Sequence, residues 1–279
     1  MYEEKNYFYY KKFSELLFLL ILPFMFFAIG VYMIIYTPYP LIFGSIYGLC
    51  AIIIGFSRFL SGIAMKKYQQ FNISKALQIM RFAVRWVFVL PNTKLFYAFL
   101  LILKKEYKEA EEVINKLKDK NLVYADEAKL NANSVLLKWK ADGDLDGAYE
   151  LIKKKVRKGC DESIHYVVTR IYLEKQMYRE TRTYIEQILS SYSQNKGLLQ
   201  NIIIGYFHTT QYQEAKLHFR NLYYDLNGAN KDVLYYMGKL KMIEDKEKDG
   251  NEFFNKALEF EDTSIDLVDN YKIKEAISI

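Results

Sequence analysis

The sequence predicts an all-α protein in which a transmembrane helical hairpin leads into an α-solenoid of five to six helix-turn-helix repeats. Two features carry that prediction. The first is a long uncharged apolar stretch near the start of the 279-residue chain, interrupted only by a proline-rich turn, and the second is a small-residue phrase that recurs about every 34 residues afterwards. Composition agrees with a folded chain. With 51% hydrophobic and 16% aromatic residues, the protein has ample material for a core and is excluded from the disordered class.

The same composition narrows function. A net charge of +6 is too mild and too unevenly spread to announce a nucleic-acid partner. Cys50 and Cys160 are too few and too distant for a disulfide framework or a zinc site, and they fit a reducing compartment. His165, His208 and His218 hold no metal-ligand spacing, and no glycine-rich phosphate loop is present, so neither a metal nor a cofactor is expected. Glu111 with Glu112, and Asp142 with Asp144, sit on surface positions of helix-turn-helix patterns without a base or nucleophile nearby. Asp161 and Glu162 next to Cys160 argue against a nucleophilic thiol. The expectation is a non-enzyme.

Residues 16–36 are 21 consecutive uncharged residues, which as a helix rise about 31 Å, the thickness of a bilayer core. A second apolar run begins at Leu41, stays uncharged to Ser57 and, with Arg58 snorkelling, continues to Met65. Spans are expected over residues 14–36 and 41–64, within a hairpin of residues 13–65 that follows an N-terminal tail of residues 1–12. Thr37-Pro38-Tyr39-Pro40 makes the turn. Lys11 and Lys12 flank the hairpin on one side and Arg58, Lys66 and Lys67 on the other, while the turn carries no charge; both termini are therefore placed in the cytoplasm. A cleaved signal peptide is the weaker alternative, because no small-residue cleavage site follows and a second span does. Gly44, Gly48, Ala51 and Gly55 line one face of the second span. That stripe packs the hairpin's own helices, or else serves as a seam for a homo-oligomer.

Beyond the membrane, Glu106-Tyr107-Lys108-Glu109-Ala110 and Gln211-Tyr212-Gln213-Glu214-Ala215 share a phrase in which a small residue follows an aromatic by three positions. The series Ala110, Ala148, Thr181, Ala215, Gly250 advances in steps of 38, 33, 34 and 35 residues. Ala76 lies one period earlier and opens the run 76–90, so a sixth unit is expected to begin around Ala64, inside the helix that leaves the membrane. Such a period belongs to stacked helical hairpins, because a lone hairpin cannot hide its apolar face.

These residues resemble the tetratricopeptide repeat family. Twelve positions before the phrase's small residue the family expects another small one, and Ala98 and Gly238 comply, whereas Leu136, Thr169 and Ile203 do not. Leu101, Trp139, Tyr172 and Tyr206 fit the large position that follows, and Lys241 departs from it. Ile114 with Leu117, Ile185 with Ile188, Phe219 with Leu222, and Phe254 with Ala257 supply the second-helix contacts, while the second repeat offers Ile152 but Lys155. The closing proline is absent. The resemblance implies a solenoid over residues 66–260 whose first helices line a concave groove, with residues 261–279 as a solvating cap or tail.

Mapped onto those first helices, the groove-facing residues implied by the family are Phe99 with Ile102, Asn133 with Leu137 and Lys140, Tyr166 with Arg170 and Leu173, Gln200 with Ile204 and Phe207, and Tyr235 with Lys239. The set suits an extended or helical peptide. The family's clamp for a C-terminal carboxylate is not reproduced, so recognition of chaperone tails is not expected.

A gradient of charge adds a second candidate site. No acidic residue occurs between Leu16 and Lys105, yet Arg58, Lys66, Lys67, Lys75, Arg81, Arg85, Lys94, Lys104 and Lys105 do. Arg58, Lys66, Lys67, Lys75, Arg81 and Arg85 form the membrane-proximal basic set, suited to anionic headgroups, although ordinary positive-inside topology accounts for the first three unaided. Residues 76–90 form an almost wholly apolar run that must be covered nearly all round, at the membrane interface or in the repeat stack, and the period favours the stack. The functional expectation is a membrane-tethered adaptor that brings a protein or peptide partner to the cytoplasmic face of the bilayer; the alternative is a membrane-coupled sensor of a peptide or ligand.

Overall fold

The structure, a computed structural model, describes residues 40–86, 89–156 and 160–277, with side chains from Gly55 onward. The chain divides into two units, residues 1–56 and Ser57–Ile279. The first expected span lies outside the described residues, and the second coincides with the helix α1, Pro40–Gln69, whose side chains over residues 40–54 also lie outside them. Among the described residues no helix is long and apolar enough to cross a membrane.

The described residues hold thirteen α-helices and no strand. After α1 come α2 (Ile73–Ala83), α3 (Pro91–Leu103), α4 (Tyr107–Lys118), α5 (Tyr124–Asp142), α6 (Leu145–Lys153), α7 (Glu162–Glu174), α8 (Tyr178–Ile188), α9 (Lys196–His208), α10 (Tyr212–Arg220), α11 (Lys231–Ile243), α12 (Glu247–Leu258) and α13 (Asn270–Ile277). From Ser57 they form six consecutive hairpins closed by α13. Asparagine and aspartate start several of them: Asn72, Asp161, Asn195 and Asn230 each accept a backbone N–H in the first turn of the following helix. Pro91 sits at the first position of α3, where its missing N–H costs nothing.

Each hairpin turns through one residue in left-handed conformation: Phe71, Lys105, Gly143, Gln176, Thr210 and Asp245, with φ between 58° and 70°. In all six the small residue of the sequence phrase follows five positions later, at Ala76, Ala110, Ala148, Thr181, Ala215 and Gly250. Five of the turns close with an amide bonding back to the carbonyl five residues earlier, as from Glu106 to Leu101 and from Gln211 to Tyr206, both at 2.9 Å. The Gly143 turn is built differently, with the Asp144 carboxylate capping the Gly147 amide at 2.7 Å. The long step of 38 has a simple cause. Helix α5 runs for 19 residues where α3, α7, α9 and α11 run for 13, so the second repeat carries extra helical turn rather than a longer loop.

The small residues are small because two backbones meet there. A Cβ on Gly238 would stand 2.5 Å from the Phe254 ring and 3.0 Å from the Gly250 carbonyl. Ala98 and Ala110 occupy the equivalent crossing in α3 and α4, both fully buried. The second-helix contacts read from sequence also face inward: Ile114, Leu117, Ile152, Ile185, Leu222, Phe254 and Ala257 are all buried to within 1% of completely. Apolar packing forms two clusters, one from Ala64 to Ile171 and one from Leu173 to Ala276.

One expectation needs correction. The run 76–90 joins the stack, but its helix stops at Ala83 and buries one face only, through Ile73, Ala76, Leu77, Met80 and Ala83; Phe82 is 56% exposed. In the C-terminal part a helix closes the series, but an irregular stretch precedes it. Residues 259–269 leave the end of α12 without helical structure, run back along the first helices, and only then enter α13, whose Ile273 and Ala276 pack beneath α12.

Candidate functional site

The inner face formed by the first helices is organised around Arg170 of α7, which is 1% exposed. Nothing apolar could hold a guanidinium there; it makes four hydrogen bonds. Its Nη2 lies 2.6 Å from the Asp232 carboxylate on α11, its Nη1 3.3 Å from the Asn201 side-chain oxygen on α9, and its Nε 3.1 Å from the main-chain carbonyl of Ile265, to which Nη2 also donates. Burial works against the charged guanidinium, but the Asp232 carboxylate outweighs it and raises the Arg170 pKa. Asn201 is held in turn by Thr169, whose hydroxyl bonds the carbonyls of His165 and Tyr166.

Asp232 works in the opposite sense on the same strand of chain. Its second oxygen accepts the N–H groups of Leu267 and Val268, each at 3.0 Å. Arg170 thus reads a main-chain carbonyl and Asp232 two main-chain amides of one non-helical segment, which turns at Thr263–Asp266. Lys231, 2% exposed, donates to Asp262 and, at 3.2 Å, to Asp266. Burial followed by the nearby Asp232 charge raises the Asp266 pKa even so, the Lys231 ammonium only moderating it.

The other end of the segment is held by the first two hairpins. Ser264 donates its N–H to the Leu103 carbonyl at 2.9 Å and its hydroxyl to the Ile102 carbonyl at 2.7 Å, at the C-terminus of α3, where carbonyls lack helical partners. Glu261 accepts from the Ser74 hydroxyl at 2.7 Å and from Lys104 at 3.2 Å. Partial burial would raise this carboxyl, but Ser74 and Lys104 hold it below the ordinary range. Phe260 meets Phe71 edge to face, with centroids 4.8 Å apart. Ile265 joins the N-terminal apolar cluster and Val268 the C-terminal one, so one short segment feeds both cores.

The residues mapped from sequence fall into four groups. Arg170 bonds the segment directly. Asn133 and Gln200 are turned into the stack, donating to the carbonyls of Leu95 at 2.8 Å and Gly228 at 2.6 Å, and so join neighbouring repeats. Phe99, Phe207 and Tyr235 pack against other rings, Phe99 on Tyr68 and both Phe207 and Tyr235 on Tyr236, while Tyr166 packs against the N-terminal apolar cluster. Lys140 lies over the Trp139 ring with Glu174 at 3.8 Å, its pKa lowered by burial, and Lys239 lies 5.8 Å from the Tyr235 ring. Lys231, Asp232 and Lys104 also hold the segment, and they were not among the groove residues mapped from sequence. At a helix start after Asn230, Lys231-Asp232 reads as an ordinary solvated first turn.

Of the membrane-proximal basic set, Arg58, Lys66, Lys75 and Arg85 are exposed, Lys67 donates to Gln70 at 3.1 Å, and Arg81 pairs with Glu106 of α4. Among the described residues no heavy atom lies near a Cβ built on Gly55, and Gly44 and Gly48 lie outside the residues whose side chains are described. Cys160 is buried against His165, whose Nε2 is 3.4 Å from the thiol and whose Nδ1 is 2.7 Å from the Tyr184 hydroxyl. Burial lowers the His165 pKa, leaving a neutral packed ring. His208 and His218 stack on Tyr178 and Tyr206.

What the architecture defines is a helical-hairpin solenoid of tetratricopeptide-repeat type. No protein-family model and no curated protein matches the sequence. In structure the chain is similar to a tetratricopeptide repeat protein from Parabacteroides merdae, with a TM-score of 0.50 and 14% identity over 91% of this chain and 96% of that one. At such low identity the likeness establishes the fold and nothing further.

Proposed function

We propose that the protein is a non-enzymatic interaction scaffold, tethered to the membrane through residues 13–65 with its repeats in the cytoplasm, and that its inner face binds an extended peptide. The observation that carries the reading is the pairing of Arg170 with one main-chain carbonyl and of Asp232 with two main-chain amides of a single non-helical segment. Contacts of that kind recognise a peptide by its backbone, with side-chain pockets adding selectivity. Tethering would raise the local concentration of the captured partner without any new contact. The tether itself is supported by the uncharged stretch of residues 16–36 and by the exposed Arg58, Lys66, Lys75 and Arg85 that follow the second apolar run.

The test uses the full chain. Membrane fractionation with cysteine-accessibility labelling at positions 38 and 279 should place the protein in the membrane with only position 38 reachable from outside. In-membrane crosslinking from a photoreactive residue at Lys239 should then trap one defined protein. Recovery of the chain in the aqueous fraction removes the tether, and repeated crosslinking without an adduct removes the scaffold.

The sensor reading is favoured by one further observation. Glu261 is bonded to the first two hairpins and Asp262, its neighbour, to the last. Occupancy of the inner face is therefore coupled to the spacing between the ends of the solenoid, and scattering of the full chain in nanodiscs with and without bound peptide would register the change.

A further inference from the structure

We propose that residues 259–268 are the resident ligand of the inner face, and that the scaffold's partner is a non-helical acidic peptide that takes their place on Lys104, Arg170, Lys231 and Asp232. The inference rests on the scaffold reading and specifies its ligand.

Three observations separate this segment from an ordinary connection. Helix–helix connections in bundles usually take two to eight residues, and α13 packs against α12, yet residues 259–269 make a long excursion between them. In a solenoid each unit touches only its neighbours, whereas this segment bonds Ser74, Lys104, Arg170 and Asp232, from four different hairpins. Finally, its grip is mostly on main chain: the Ile265 carbonyl, the amides of Ser264, Leu267 and Val268, and the carbonyls at the end of α3. A different peptide that takes the same turn as Thr263–Asp266 offers the same groups.

Side chains on the segment define what such a peptide must carry. Glu261 meets Lys104, and Asp262 and Asp266 meet Lys231, so the lining is cationic where the ligand is anionic. Ile265 and Val268, 6% and 0% exposed, fill apolar sites three residues apart, and Phe260 adds an aromatic contact on Phe71. The ligand is therefore an acidic segment with an aromatic residue followed by two apolar anchors at five and eight positions. Because α12 and α13 hold both ends, the resident segment acts at high effective concentration, and a competing peptide reaches the site only when local opening admits it.

The experiment measures binding of a fluorescein-labelled synthetic peptide with the sequence of residues 258–269 to the full chain in detergent micelles. Ser264→Ala with Ile265→Ala loosens the resident segment and leaves the lining untouched. The loosened chain should bind the peptide at least tenfold more tightly than the unaltered chain. A peptide with Glu261, Asp262 and Asp266 replaced by serine should lose at least tenfold. Equal or absent binding to a loosened chain that still melts cooperatively overturns the proposal and makes the segment a permanent strut. Should the double variant fail to fold, hydrogen exchange on the unaltered chain decides. The amides of Leu267 and Val268 should exchange at least tenfold faster than those of Ile202 and Ile203 in α9, and equal rates overturn the idea. Dimerisation through exchanged segments as the chain is concentrated would assign the site to a second copy and also overturn it. An adduct in the crosslinking experiment without peptide exchange here would leave the scaffold standing and this ligand refuted.

Discussion

The stack of hairpins and the segment that crosses its inner face are held by opposite kinds of bond. In the stack, the same apolar contact recurs at every hairpin: a small residue after the turn, then buried aliphatic or aromatic residues such as Ile114, Ile152, Ile185, Leu222 and Phe254. Each fully buried side chain of that type contributes roughly 1.5–3 kcal/mol, so no single one decides the fold. The crossing segment concentrates its hold on a few buried polar groups, chiefly Arg170 and Asp232, which are 1% and 0% exposed. Distributed apolar contacts set how one hairpin follows the next. The concentrated polar ones help set how far the ends of the series stand apart, because they join hairpins that are not neighbours.

The sharpest way to break the contrast is Asp232→Ala. It strands the Arg170 guanidinium in a buried site and leaves the Leu267 and Val268 amides without an acceptor, so a loss of about 3–5 kcal/mol is expected in denaturant unfolding. Hydrogen exchange should place the damage in residues 264–268 before the helices. Replacing both Arg170 and Asp232 with leucine should cost clearly less than the sum of the two single losses, as expected for partners in one network. Additive losses would mean that the pair does not act as a unit.

A smaller loss, confined to the stack, is expected from Gly238→Ala. The added methyl would press on Phe254 and on the Gly250 carbonyl where α11 and α12 cross, and overpacking of this kind costs about 1–3 kcal/mol. Binding of the segment to Asp232 on the same helix should survive, which thermal melting combined with exchange at Val268 would show. A melt unchanged within error would mean that the crossing has slack that its geometry does not suggest.

That difference also explains what the sequence made legible. Helix crossings demand small residues at fixed intervals, so Ala110, Ala148, Thr181, Ala215 and Gly250 announced the hairpins, and even the irregular step of 38 was visible, though not its origin in a longer α5. Arg170 was placed on the inner face by the resemblance to tetratricopeptide repeats, whose groove-facing positions map to it. Its partner could not be: Asp232 lies 62 residues further on, and the segment it binds, another 35. A contact made through main-chain amides leaves no residue pattern, and a lysine and an aspartate at a helix start look the same whether they face water or a buried peptide.

Acid should weaken the C-terminal hairpins through His208. Its ring stacks on Tyr178 at 3.8 Å with Nε2 buried and without a hydrogen-bond partner, and burial, aided by Lys272, lowers its pKa. A base whose folded pKa lies below its unfolded value of about 6.5 binds more protons when unfolded. The stability it contributes is therefore complete above that value and is lost as pH falls from it through the folded value. His208→Phe keeps the stack and should flatten this part of the stability–pH curve, with His165 and His218, lowered by burial in the same way, supplying the remainder. A curve with the same slope in the variant would show that the ring is not the group responsible.

The smallest effect tests the turns, and its sign is opposite. Thr210 is exposed and β-branched, yet sits at φ 59°, a conformation that costs a residue with a Cβ about 1–2 kcal/mol. Glycine removes that strain but loses about 0.5–1 kcal/mol more backbone freedom on folding, so Thr210→Gly should stabilise by a net of roughly 0.5–1 kcal/mol. At the corresponding turn of the second repeat, Gly143 already occupies φ 70°, and Gly143→Ala should destabilise by about the same amount. Neither change touches the inner face, so peptide binding should be unaltered in both. If Thr210→Gly instead lowers the melting temperature, the Thr210 hydroxyl, which bonds the Thr209 carbonyl at 2.7 Å, contributes more to closing that hairpin than the left-handed backbone costs it.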